Sequence, residues 1–158
     1  MTHQEIKEKF DYQGGKLIWK IDRSDKVKKG KIAGCLRKDG YISIHHNKQT
    51  YTAHRLIFCY FYGYMPKYID HINGNPSDNR IENLRECTSK QNNFNKKKYG
   101  KHKYKGVYKS YNRYKVQIMH NGILLYKGQY KTEEEAAIVY NNTAKELFGE
   151  FAYLNKIL

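Results

Sequence analysis

The sequence predicts an α+β chain assembled from small units, and three observations carry that prediction. Residues 1–63 hold a basic, β-rich series of short runs broken by glycine and asparagine turns. Residues 64–97 are turn-rich in the middle and heavy in asparagine, too irregular to be sheet or helix throughout. From residue 105 to 158, three β runs lead into one capped helix, after a basic linker at 98–104. With 158 residues and only 39% hydrophobic side chains, the chain has room for modest cores rather than one large one.

The N-terminal region opens on a helical pattern at residues 2–10, followed by KLIWKI, KIAGCL, GYISIHH and QTYTAH as β runs. Gly14-Gly15, Gly30, Asp39-Gly40 and Asn47 punctuate them as turns. Leu56, Phe58, Cys59, Tyr60 and Phe61 form an apolar run before Gly63 and Pro66, which reads as a buried helix ending at the glycine.

In the C-terminal region, GVYKSY, RYKVQIMH and ILLYKGQY form a three-stranded antiparallel meander, with Asn121-Gly122 as a hairpin turn. Thr132 and Glu135 make a capping box. Ala136, Ala137, Tyr140, Ala144, Leu147 and Phe148 then recur at helical spacing up to Gly149, a helix of about four turns. That helix covers one face of the sheet, because three strands without a partner layer bury too little to be stable. On the second strand Tyr114, Val116 and Ile118 take the helix side, which leaves Arg113, Lys115, Gln117 and Met119 on the other.

Charge narrows the function. Thirty lysines and arginines face fifteen carboxylates, and residues 1–69 alone carry fourteen basic groups against six acidic ones. Such a body binds a phosphate backbone through counterion release, although charge for solubility is the plainer reading. Sixteen tyrosines favour nucleic acid, since tyrosine offers stacking area and a hydroxyl. Residues 70–95 hold four carboxylates against three basic groups, a local break in the positive field that suits a cation. Cys35, Cys59 and Cys87 are odd in number and widely spaced, so they are read as buried thiols of a reducing compartment, with no structural zinc. No apolar run reaches the roughly 20 residues of a membrane span and no secretion signal opens the chain, so the expectation is cytoplasmic.

The chemistry centres on YIDHINGNPSDNRIENL, residues 68–84. Hydrolysing a phosphodiester takes a base that accepts a water proton near neutral pH, and His71 is the candidate. A hard divalent cation neutralises the charge that develops, and Asp70 with a downstream asparagine supplies oxygen ligands.

The string D-H-I-N-G-N-P-x-D-N-R-I-x-N-L-R, followed by T-x-x-Q-N, resembles the HNH motif of phage and intron-encoded homing endonucleases over residues 66–95. The resemblance implies a ββα-metal finger around one divalent cation, with residues 81–86 as the second strand and 89–95 starting the helix. It makes His71 the general base and Asp70 and Asn92 the metal ligands, with Asn93 and Asn95 as alternatives to Asn92. Asn83 then holds the loop so that His71 keeps the useful tautomer. Asn79 and Arg80 carry the turn, and Arg80 and Arg85 are candidate phosphate clamps. His54-Arg55 resembles the segment preceding the motif, with packing for His54 and a phosphate contact for Arg55. The implied cofactor is Mg²⁺ (or Mn²⁺), and the implied setting a bacterial or phage-infected host cell.

YKGVYKSYNRYKVQI, GILLYKGQY and KTEEEAAIVYNNTAKELFGEFAYLN together resemble an AP2 domain across residues 103–155. That resemblance implies a sheet laid in the DNA major groove, with Lys105, Tyr108, Ser110, Lys115, Gln117 and Tyr126 at contact positions. Arg113 joins them by strand alternation. A solvated sheet face is the alternative for these polar residues. The expected partner is double-stranded DNA, with no membrane and no obligate protein partner. The rival functions are a DNA-binding regulator with a vestigial nuclease centre and, third, an RNA-binding protein.

Overall fold

A computed structural model describes residues 1–97 and 102–157, so the linker expected at 98–104 lies partly outside the described residues. The chain divides into two compact units, Met1–Thr88 and Ser89–Leu158.

In the first unit, α1 (His3–Lys9) begins at Thr2, whose hydroxyl accepts from the Glu5 amide while the Glu5 carboxylate takes the Thr2 amide. This capping box satisfies two amide donors that a helix start otherwise leaves bare. The helix stops one residue earlier than the sequence pattern suggests, because Phe10 turns extended and opens β1 (Phe10–Gln13), its buried ring 4.4 Å from that of Trp19. β1 pairs antiparallel with β2 (Lys16–Trp19) through Gly14-Gly15, both at positive φ as a two-residue hairpin turn requires. β3 (Cys35–Leu36), β4 (Ile42–His46) and β5 (Gln49–Thr52) form a second small sheet in that order. KIAGCL thus yields only two strand residues and one isolated bridge, Ile18 to Ile32.

α2 (Ala53–Tyr62) is the apolar run anticipated from the sequence, and Gly63 ends it in the left-handed region at φ 82°. Its Leu56, Ile57 and Phe58 pack with Ile6, Phe10, Leu17 and Trp19 as the core of this unit. β6 (Tyr68–His71) pairs antiparallel with β7 (Leu84–Cys87). The second strand is shorter than expected, because Ile81–Asn83 forms a turn of 3₁₀ helix that closes the loop first. Of the three cysteines, Cys59 and Cys87 are buried, whereas Cys35 sits exposed on the short edge strand β3, contrary to its reading as a buried thiol.

The second unit starts with α3 (Ser89–Phe94) and holds β8 (Val107–Ser110), β9 (Arg113–His120) and β10 (Ile123–Tyr130), ordered β10-β9-β8 and antiparallel. Asn121 and Gly122 both take positive φ at the β9–β10 turn. α4 (Glu133–Phe148) carries the capping box read from the sequence, with the Thr132 hydroxyl accepting from the Glu135 amide. Val116 and Ile118 are buried under Ala136, Ala137, Tyr140 and Ala144, which is the side that alternation assigns to the helix. Gly106 allows the closest approach: a Cβ there would meet the Tyr140 ring at 2.1 Å. Among the described residues no helix is long and apolar enough to cross a membrane.

Candidate active site and nucleic-acid interface

β6 ends on Asp70 and His71, both nearly inaccessible at 4% and 5% exposure. Asp70 faces Arg85 across the hairpin, and the guanidinium donates twice to Oδ2 at 2.9 and 2.7 Å. Arg85, expected as a phosphate clamp, is therefore a half-buried counterion of Asp70.

His71 sits in a cluster of rings. Its ring centroid lies 5.1 Å from that of His54, on the first turn of α2, and 5.9 Å from Tyr41. His71 Nε2 is 3.0 Å from Oδ1 of Asn79, a side chain only 1% exposed. Burial lowers the His71 pKa below the usual imidazole value, against the opposing pull of the Asn79 bond, Asp70 and Asp78. The imidazole is thus neutral at physiological pH, the state in which it can accept a proton. Burial, with smaller contributions from His71 and Arg55, holds His54 down to about 3.

The asparagines of the loop hold one another. Asn83 Oδ1 accepts from the Asn73 amide at 2.9 Å, and its Nδ2 donates to Asn73 Oδ1 at 3.0 Å and to the Asp78 carbonyl at 2.7 Å. Asn73 Nδ2 donates to Asp78 Oδ2, and Asn75 Oδ1 caps the Ser77 amide and hydroxyl. Asn83 accordingly fixes the loop, as its sequence role requires, yet the amide on the His71 ring belongs to Asn79. Arg80 lies exposed and pairs with Asp78, whose carboxyl it keeps well below the usual range. Arg55 donates to the carbonyls of Pro66 and Lys67, bracing the entry to β6.

In the second unit, Asn92 is half-buried on α3, Asn93 is exposed and Asn95 is buried. Strand pairing sets Tyr108 beside Lys115, Ser110 beside Arg113 and Gln117 beside Tyr126, so six of the seven residues read as DNA-facing share the sheet face away from α4. Lys105 does not join them. Its ammonium donates to the carbonyls of Phe94 and Lys96 at 2.9 and 2.6 Å, and burial lowers it to about 8.

Residues 51–94 match the HNH endonuclease family. The matched segment contains His54, Asp70, His71, Asn79, Asn83, Arg85 and Asn92. The chain is 42% identical over 126 residues to a protein of Acanthamoeba polyphaga mimivirus named as an uncharacterized HNH endonuclease, covering 77% of this chain and 66% of that one. It is also 36% identical over 63 residues to an SPbeta prophage-derived protein of Bacillus subtilis (strain 168) named for HNH homing endonucleases, covering 39% of this chain and 36% of that one. The chain thus spans just under two thirds of the first relative's length and about a third of the second's. No solved structure matches it.

Sequence reasoning gave Asn79 to the turn and His54 to packing without setting either against the His71 ring, and it did not single out Tyr41. Nothing in one sequence separates Asn79 from its neighbours at 73, 75 and 83, since burial alone distinguishes it. For a divalent cation the test is the donor set. Among the described residues no three His, Cys, Asp or Glu side chains gather as a metal cluster. Asp70 is a buried carboxylate at the end of β6, and its oxygen donors are of the kind a hard divalent cation prefers.

Proposed function

We propose that the chain is a metal-dependent DNA endonuclease of the homing type, with His71 as general base. The observation that carries the proposal is a neutral, buried His71 beside Asp70 inside the HNH segment. His71 takes a proton from water, the water oxygen attacks phosphorus, and the bond from phosphorus to the leaving oxygen breaks. Asp70 would hold a divalent cation, with Asn92 the second ligand that the family resemblance adds, and that cation would supply positive charge for the leaving oxygen. Asn83 keeps the loop in place around these groups. The homing character is supported by the name of the prophage-derived relative.

The basic sheet face of the second unit is proposed as an AP2-like DNA reader. Tyr108, Ser110, Arg113, Lys115, Gln117 and Tyr126 would contact duplex DNA there, and Arg80 would contact a phosphate from the first unit. The test is selection of cut sites from a random duplex library with Mg²⁺, with Mn²⁺ and with chelator. Metal-dependent breaks at a recurring sequence are expected. The Asp70–Arg85 ion pair favours a second reading, a DNA-binding regulator with a vestigial centre, and binding without cutting under either metal would establish it.

A further inference from the structure

The first unit contains a chain of contacts that runs from its N-terminal hairpin to the imidazole. Gly15 lies at the tip of the β1–β2 turn with φ 86°, and a Cβ there would sit 2.8 Å from the Arg80 amide nitrogen and 3.1 Å from the Asn79 carbonyl carbon. The hairpin backbone is thus pressed on the Asn79–Arg80 peptide as closely as only glycine allows. Two residues on, the amide of Ile81 donates to the Tyr12 hydroxyl at 3.2 Å, a second clamp from the same hairpin. Asn79 forms one side of the first contact, with Oδ1 on His71 Nε2 and with Nδ2 buried and lacking a hydrogen-bond partner among the described residues. A buried donor left unsatisfied costs about 1–3 kcal/mol, so its environment must impose this side-chain orientation rather than merely permit it.

We infer that Asn79 is a positioning residue: braced by the Gly15 turn and Tyr12, it accepts the Nε2 hydrogen of His71 and so leaves the basic lone pair on Nδ1. The ring nitrogen that carries hydrogen is set by the bond the other makes, and an acceptor at Nε2 fixes it. Tyr12 and Gly15 lie outside the matched residues 51–94, so on this inference the N-terminal hairpin supports the site through its contacts with residues 79–81. The inference rests on His71 serving as the base.

Long-range proton–nitrogen correlation spectra of the full chain at neutral pH read the tautomer directly. The parent is expected to show His71 as the Nε2–H form alone. Asn79→Leu should give a mixture of both forms, and kcat should fall by on the order of 10²-fold while KM for duplex DNA holds. Asn79→Asp keeps both size and acceptor, so it should preserve the tautomer and hold kcat to within about tenfold of the parent, which guards against a Leu variant that fails to fold. An Nδ1–H signal in the parent, or an unchanged tautomer in a folded Asn79→Leu variant, overturns the inference. If the parent cuts no DNA but its spectra behave as stated, the nuclease reading fails and the positioning stands.

Discussion

At the residue scale, burial decides more than charge. His54 and His71 meet edge to face within the first unit and are both kept neutral by the cost of charging a ring out of water. His54 has its folded pKa pressed to about 3, so above pH 6.5 it is neutral in both folded and unfolded states. Below pH 6.5 the unfolded chain takes a proton that the fold refuses, and stability drops by about 1.4 kcal/mol per pH unit until the folded pKa is reached. Urea unfolding should therefore show a loss of roughly 2–3 kcal/mol from this group between pH 6.5 and 4.5. His54→Phe should flatten that slope, and an unchanged slope would refute the assignment. For His71 the lowered pKa predicts that the acid-side decline of kcat comes at a lower pH than an ordinary imidazole would give. The placing of Asp70 and His71 side by side at the end of a strand, and of Asn83 in the loop after it, was legible in the sequence because their spacing is itself the motif. Asn79 was not, since partnership with a ring eight residues away depends on how the loop closes.

At the element scale, caps and turns were the most readable features, because their chemistry is local. The Thr132 capping box, the Asn121-Gly122 turn and the Gly63 stop each follow from a residue type at a fixed offset. Strand limits were less readable: KIAGCL looks like a strand but is mostly loop, and residues 81–83 close as a 3₁₀ turn before β7 begins. Tertiary contacts, rather than local propensity, set those ends. Thr132→Ala removes one cap bond and should cost about 1 kcal/mol in chemical unfolding. Gly106→Ala drives a methyl group into the Tyr140 ring and needs positive φ at 74°, so its loss should exceed that of Thr132→Ala in the same assay. Equal losses would show that the α4–sheet contact at Tyr140 yields easily.

At the scale of the whole molecule, a net charge of +15 is carried by a chain with two separate hydrophobic cores, and on the proposed reading that charge serves to bind DNA. The sequence reveals the charge but not its use: Arg55, Arg85 and Lys105 look like phosphate ligands, yet each is committed to a carbonyl or carboxylate within its own unit. Arg80 and the exposed sheet face are the DNA-contacting surfaces of the proposed reading. If roughly six phosphates are contacted, affinity for duplex DNA should fall about a thousandfold between 50 and 200 mM salt. A flat titration would remove the electrostatic part of the account. The central claim is tested most directly by comparing the parent with His71→Ala in cleavage and binding of the same duplex in Mg²⁺. The account predicts cutting slowed by about 10²- to 10⁴-fold with binding retained. A His71→Ala protein that cuts as fast as the parent would contradict it.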